Sequence, residues 1–172
     1  MAFSNDGKYL IAASVAEENV LVVFDVASGL VCENGTAILD PTDSINKIVV
    51  NPNTEGSEIN FITVGQKGSF IIWQYDVDTQ QILNLKPEKN QDLQNTDFTC
   101  ATYTTKLGAP FKCELVILGT ADGAICAVNP TPKNIENIEK LEWLEHGKKE
   151  FILGEAIGSI VYRYAQVVIS GA

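Results

Sequence analysis

Histidine is almost absent from this chain: His146 is the only one in 172 residues. That scarcity removes the usual base of a serine or cysteine triad and the commonest nitrogen ligand of a metal site. The four cysteines, Cys32, Cys100, Cys113 and Cys126, form no CxxC pair, so the tight spacing of a structural zinc site is missing as well. They are expected as buried or half-buried free thiols of a reducing compartment. Basic residues are few: 12 Lys plus Arg stand against 22 Asp plus Glu, for a net charge of −10 and a pI near 4.5. Such a chain repels nucleic acid and anionic membranes unless its basic charge is segregated. The densest basic pair, Lys148-Lys149, lies beside Glu150 and near Glu145. No apolar run approaches the roughly 20 residues of a membrane helix. Met1-Ala2-Phe3-Ser4-Asn5-Asp6 carries neither the basic nor the apolar part of a secretory signal. The expectation is a soluble cytoplasmic protein without membrane insertion, and the Asn34-Gly35-Thr36 sequon is discounted with it.

Motifs of catalysis are missing too. No GxxxxGK[ST] or GxGxxG is present to cradle a phosphate, and no Gly-x-Ser-x-Gly surrounds a nucleophile. Carboxylates gather in loops, where solvated charge is their ordinary role. Asp40-Pro41-Thr42-Asp43 lacks the oxygen-rich spacing of a calcium loop. No catalytic, cofactor-binding or metal-ligating residue is expected, and the chain is read as a non-enzyme.

What is present is a series of short apolar runs between turn signals. Tyr9-Leu10-Ile11-Ala12-Ala13 follows Asn5-Asp6-Gly7, and Val20-Leu21-Val22-Val23-Phe24 follows Glu17-Glu18-Asn19. Ile59 to Val64 and Phe70 to Trp73 flank Gly65-Gln66-Lys67-Gly68, while Leu115 to Leu118 and Ala124 to Val128 flank Gly119 to Gly123. Their β-branched and aromatic content argues strands. Gaps this short cannot hold a parallel crossover, so the pairs are antiparallel hairpins. The runs are nevertheless apolar on both faces: Phe70 and Ile72 point one way, Ile71 and Trp73 the other. An antiparallel sheet with one wet face would alternate instead. Sheets stacked radially, each covered by neighbours on both sides, satisfy the pattern.

The runs also repeat. Gly68-Ser69-Phe70-Ile71-Ile72-Trp73 aligns without gaps on Gly123-Ala124-Ile125-Cys126-Ala127-Val128, and Phe24-Asp25 aligns on Trp73-Gln74. Ile169-Ser170-Gly171 resembles the end of the upstream strand at Leu118-Gly119-Thr120. Units of about 50 residues hold four short strands and a loop. The predicted fold is all-β: a partial propeller of about three and a half four-stranded antiparallel blades, at 1–36, 44–87, 97–145 and an incomplete 150–172. Pro132 to Gly147 carries the threefold apolar spacing of a helix but falls where an outermost strand belongs, and is read as strand with helix as the alternative.

The first unit, Phe3-Ser4-Asn5-Asp6-Gly7-Lys8-Tyr9-Leu10-Ile11-Ala12-Ala13-Ser14 followed by Asn19 to Gly29, resembles a WD-repeat blade, with Phe24-Asp25 for the Trp-Asp pair. The second resembles it through Gly68 to Trp73, the third through Thr120-Ala121-Asp122-Gly123. The likeness departs from the family pattern in its long units and in lacking the Gly-His of the hydrogen-bonded tetrad. Phe70-Ile71-Ile72-Trp73, Asp97 to Ala101 and Gly119-Thr120-Ala121-Asp122-Gly123 are similar to cilia- and flagella-associated and echinoderm-microtubule-associated-like WD-repeat proteins.

That resemblance implies a protein–protein interaction scaffold in a multiprotein assembly, ciliary, axonemal or microtubule-associated. Its rivals are a WD-repeat adaptor of a ubiquitin-ligase, trafficking or chromatin complex, and a propeller hydrolase. The chain reads as a segment of a larger ring, closed by further blades or by another copy. Its free faces are expected to show Leu21 and Val23 at one end and Val167 and Ile169 at the other. Partner-binding residues are expected on one rim, at Glu17, Glu18, Asp40, Asp43, Glu88, Asp92, Asp97 and Asp122, and a basic segment of another protein complements them.

Overall fold

A computed structural model describes residues 1–14, 19–41, 44–54, 56–85, 95–104, 114–128, 130, 156–163 and 166–171. The elements there are all strands: β1 (Ala2–Phe3), β2 (Tyr9–Ala13), β3 (Val20–Asp25), β4 (Val31–Ile38), β5 (Lys47–Val50), β6 (Glu58–Val64), β7 (Phe70–Asp76), β8 (Gln81–Leu85), β9 (Phe98–Tyr103), β10 (Val116–Thr120), β11 (Ile125–Val128), β12 (Ile157–Arg163) and β13 (Gln166–Gly171). They form four antiparallel meanders: β1-β2-β3-β4, β5-β6-β7-β8, β9-β10-β11 and β12-β13. The segment Pro132 to Gly147, read above as a strand, lies outside the described residues.

Turn chemistry sets the hairpins. Between β1 and β2 the Ser4 hydroxyl donates to Asp6 at 2.7 Å, and the same oxygen accepts from the Tyr9 amide at 2.9 Å. Gly7 closes the turn at φ +72°, where a side chain would be strained. The resulting register sets Ala2 against Ile11 and Phe3 against Leu10. Asp25 builds the β3–β4 turn in the same manner, its Oδ1 accepting from the Ser28 amide at 2.7 Å.

The sheets stack face to face. Leu21 and Val23 of the first sheet meet Phe61, Ile71, Trp73 and Tyr75 of the second. The other face of the second sheet, with Ile62, Val64, Phe70 and Ile72, packs on Tyr103, Val116, Leu118 and Val128 of the third. Cys100, Ile117 and Ile125 on the far side of the third meet Ile157 and Ile160 of the fourth. The innermost strands β1, β5, β9 and β12 run side by side in that order. Radial sheets about a line of inner strands are propeller blades, so the chain is an all-β partial propeller. The two-faced apolar runs are explained: β7 serves both neighbours at once.

Two close approaches fix the stacking. A Cβ on Gly65 would come within 1.8 Å of the Ser44 carbonyl oxygen, so the end of β6 touches the β4–β5 connection only because glycine stands there. The Thr99 hydroxyl donates to the Ile157 carbonyl, tying β9 to β12.

The faces at the two ends differ from expectation. Leu21 and Val23 are fully buried against the second sheet; the open face carries the alternate residues of β3. At the other end Ile169 is half-buried against the third cluster, and Val168 is the exposed one. Alternation decides both: each strand offers two faces, and one residue of parity exchanges them. Val167 falls among positions whose side chains are not described.

Candidate interaction rim

The strands of a meander alternate in direction, so the connections β2–β3, β4–β5, β6–β7, β8–β9 and β10–β11 emerge at one end. Hydrogen bonds within and between blades knit that end together. The Gln66 amide donates to the Ser44 hydroxyl at 2.6 Å. The Lys67 amide donates to Asp97 Oδ1 at 2.9 Å, and the Ala121 amide to the Asp97 carbonyl at 2.9 Å. Gly68 donates its amide to the Thr96 carbonyl at 2.7 Å, and the Leu39 amide to the Asn19 carbonyl at 2.8 Å. Lys67 takes φ +53° to make its turn.

Three of the eight residues named from sequence are described here. Asp40 is exposed just beyond β4. Asp122 is exposed in the β10–β11 turn, where Thr120 donates its hydroxyl to Asp122 Oδ1. Asp97 is half-buried and joins the turns of the second and third blades through the two bonds above. Its carboxylate therefore positions a loop, while Asp40 and Asp122 reach solvent. Glu17, Glu18, Asp43, Glu88 and Asp92 lie outside the described residues.

The opposite end has a feature that the sequence did not flag. A cavity of about 230 Å³ opens between the first two blades, over an apolar floor of Tyr9, Val50, Ile59 and Val77, with Asp6 and Glu58 at its mouth. The Asn5 side-chain amide donates across it to the Asn51 carbonyl at 2.8 Å. Lys8 Nζ stands 3.4 Å from Asp6 Oδ2. The hydrogen bond from Ser4, followed by that from the Lys8 amide, holds the Asp6 carboxyl below its usual value of 3.8. The Asn-Asp-Gly and Asn-Pro-Asn turns mark the two lips in the sequence, but only the blade-to-blade distance makes them a groove.

Between the rims the described core is mainly apolar and holds a buried polar pair. Trp73 donates its indole N–H to the Thr63 hydroxyl at 2.9 Å, both side chains fully buried. Cys32, Cys100 and Cys126 are buried free thiols, and burial pushes the Cys100 thiol up; Cys113 lies outside the described residues. Among the described residues no group of three or more His, Cys, Asp or Glu could hold a metal ion. No described helix is long and apolar enough to cross a membrane.

No family model and no curated protein matches this chain. Among solved structures, it is similar to a chain of the crystal structure of BBS1N in complex with ARL6DN, soaked with lead, at 16% identity and a TM-score of 0.42. The match covers 94% of this chain and 48% of that one, so this chain spans about half the length of the structure it matches. Similarity this distant says nothing of partners, and the propeller assignment stands on the four sheets and their packing.

Proposed function

We propose that the chain is a non-enzymatic interaction scaffold, a segment of a divergent WD-repeat propeller that serves a cytoplasmic multiprotein assembly of the ciliary, axonemal or microtubule-associated kind. The knitted rim carries this reading. Described turns of successive blades are tied to one another by bonds from backbone amides, so they are held in place without needing a ligand to order them. That surface presents Asp40 and Asp122 to solvent, and the sequence adds Glu17, Glu18, Asp43, Glu88 and Asp92 to the same set of connections. A Lys/Arg-rich segment of a partner protein complements it, gaining on-rate and specificity from the opposite sign of charge.

The test is a charge reversal, Asp40→Lys with Glu88→Lys and Asp92→Lys, assayed against a Lys/Arg-rich peptide. Binding weakens and loses most of its salt dependence, while the circular dichroism spectrum stays that of a β-protein. Unchanged affinity at low salt would leave the rim as solubilising charge and end the proposal.

A further inference from the structure

The outer strand of the first blade carries a break in its pairing. Val31 lies opposite Phe24, and Thr36 lies opposite Val22. The stretch from Cys32 to Gly35 therefore faces Val23 alone, a bulge that takes it out of the regular ladder. β4 is the edge of its sheet, so no further strand of that sheet holds the bulge from outside. A side chain of the second blade does so at one point: the Glu33 amide donates to Gln80 Oε1 at 3.0 Å. Gln80 takes φ +56° in its turn, a left-handed conformation that few residues with a side chain adopt. The chain is thus pinned at Glu33 and rejoins β3 at Thr36, and the pair between those points is Asn34-Gly35.

The fold asks different things of these two residues. Gly35 is buried, and a Cβ there would come within 2.9 Å of Cys32 Cβ and 3.1 Å of the Val23 carbonyl oxygen, so packing demands glycine. Asn34 is exposed, and its side chain has no hydrogen-bond partner among the described residues. It is also the only asparagine of the sequence that is followed by glycine. A glycine in that place has no side chain to keep its nitrogen away from the asparagine's side-chain carbonyl carbon.

We propose that Asn34-Gly35 is a self-modification site of the folded protein, where the asparagine converts to aspartate and isoaspartate with water as the only co-reactant. The Gly35 nitrogen gives its proton to solvent base and attacks Asn34 Cγ. The new Cγ–N bond forms as the Cγ–Nδ2 bond breaks, and ammonia leaves with a proton, giving a cyclic imide. Water then opens the ring. Breaking the bond from the Gly35 nitrogen to Cγ gives aspartate. Breaking its bond to the Asn34 main-chain carbonyl carbon gives isoaspartate, whose backbone runs through Cγ. Both products add a negative charge, and no atom changes oxidation state. Isoaspartate also inserts a methylene into the main chain ahead of Gly35, where Cys32 and Val23 already exclude a methyl group. It therefore loosens the bulge and uncovers Cys32, which is 7% exposed in the unmodified chain. None of this depends on the acidic rim, so this inference and the scaffold reading stand or fall separately.

The test is to hold the whole chain in mildly alkaline buffer, once folded (with its β-type circular dichroism intact) and once in denaturant, and to follow Asn34 by peptide mass mapping that separates aspartate from isoaspartate. A site that reacted only through global unfolding would be slowed by the whole folding equilibrium, at least about a thousandfold for a stable domain. The bulge instead slows conversion by less than about tenfold, because local opening at an edge costs little. Asn34→Gln abolishes the product. In the isoaspartate fraction a thiol reagent labels Cys32 faster than in the unmodified chain, whereas Asn34→Asp, which adds the charge without the methylene, labels at the unmodified rate. A folded-state rate more than about tenfold below that of the denatured chain would show that the strand protects its amide, and would overturn the proposal. So would an isoaspartate fraction whose Cys32 labels no faster than before.

Discussion

Trp73 shows how much rests on one side chain. It is fully buried, stacks on Phe61 and donates to Thr63, and so joins two strands of its own blade to the neighbouring one. Trp73→Ala is expected to destabilise by about 3–5 kcal/mol, the range for opening a large cavity in a core. Trp73→Phe separates the terms: it keeps an aromatic ring but strands the Thr63 hydroxyl, at about 1–3 kcal/mol. Chemical denaturation of the three proteins measures both, and a Trp73→Ala midpoint equal to the unmodified one would refute the packing described. The burial of Trp73 was legible in the sequence from its alignment with Phe24 and Val128. Its hydrogen bond was not, because Thr63 lies on the neighbouring strand and only the register Thr63–Ile71 and Phe61–Trp73 brings the indole within reach. Gly65 is similar. Sequence marks it as a turn residue, yet the contact with Ser44 is what forbids a side chain. Gly65→Ala should therefore lower the melting temperature, and a neutral result would show that the β4–β5 connection gives way freely.

At the scale of elements, two turns make the blades pH-sensitive on the acid side. Asp6 and Asp25 hold their turns as carboxylates, and hydrogen bonds from Ser4 and from the Ser28 amide keep both below the usual 3.8. A carboxyl lowered in the folded state binds its proton more readily when unfolded. Its contribution is thus fully present above pH 3.8 and is lost as pH falls through the lower folded value. Asp6 is exposed and Asp25 half-buried at the surface, so the slope per group is shallow and screened by salt. Asp6→Asn with Asp25→Asn should flatten the acid limb of the stability curve below pH 4 and leave its shape above pH 6 unchanged; thermal melts at a series of pH values check it. Hairpin pairing and turn positions were readable from Asp-Gly, Ser-Gly and the apolar runs. Which face of β3 met the second blade was not, because β3 has five apolar residues in succession and both parities look alike. The structure chose Leu21 and Val23 for the covered side, leaving Val20, Val22 and Phe24 half-buried on the open one.

Over the whole molecule, coverage falls from the middle sheets to the end sheets, and local stability should follow it. The second sheet is packed on both faces, by Leu21 and Val23 from one side and by Tyr103 and Val128 from the other. The first has one face that no other described sheet covers, and β4 is in addition its edge strand. Amides in sheets covered on both sides open only through global unfolding, whereas those near open faces and edges open locally at lower free energy. Hydrogen exchange should accordingly find β6, β7 and β10 the slowest and β4 among the fastest, with β2 and β3 between them. Uniform protection across all four sheets would contradict a stack whose stability is set by how many neighbours each blade has.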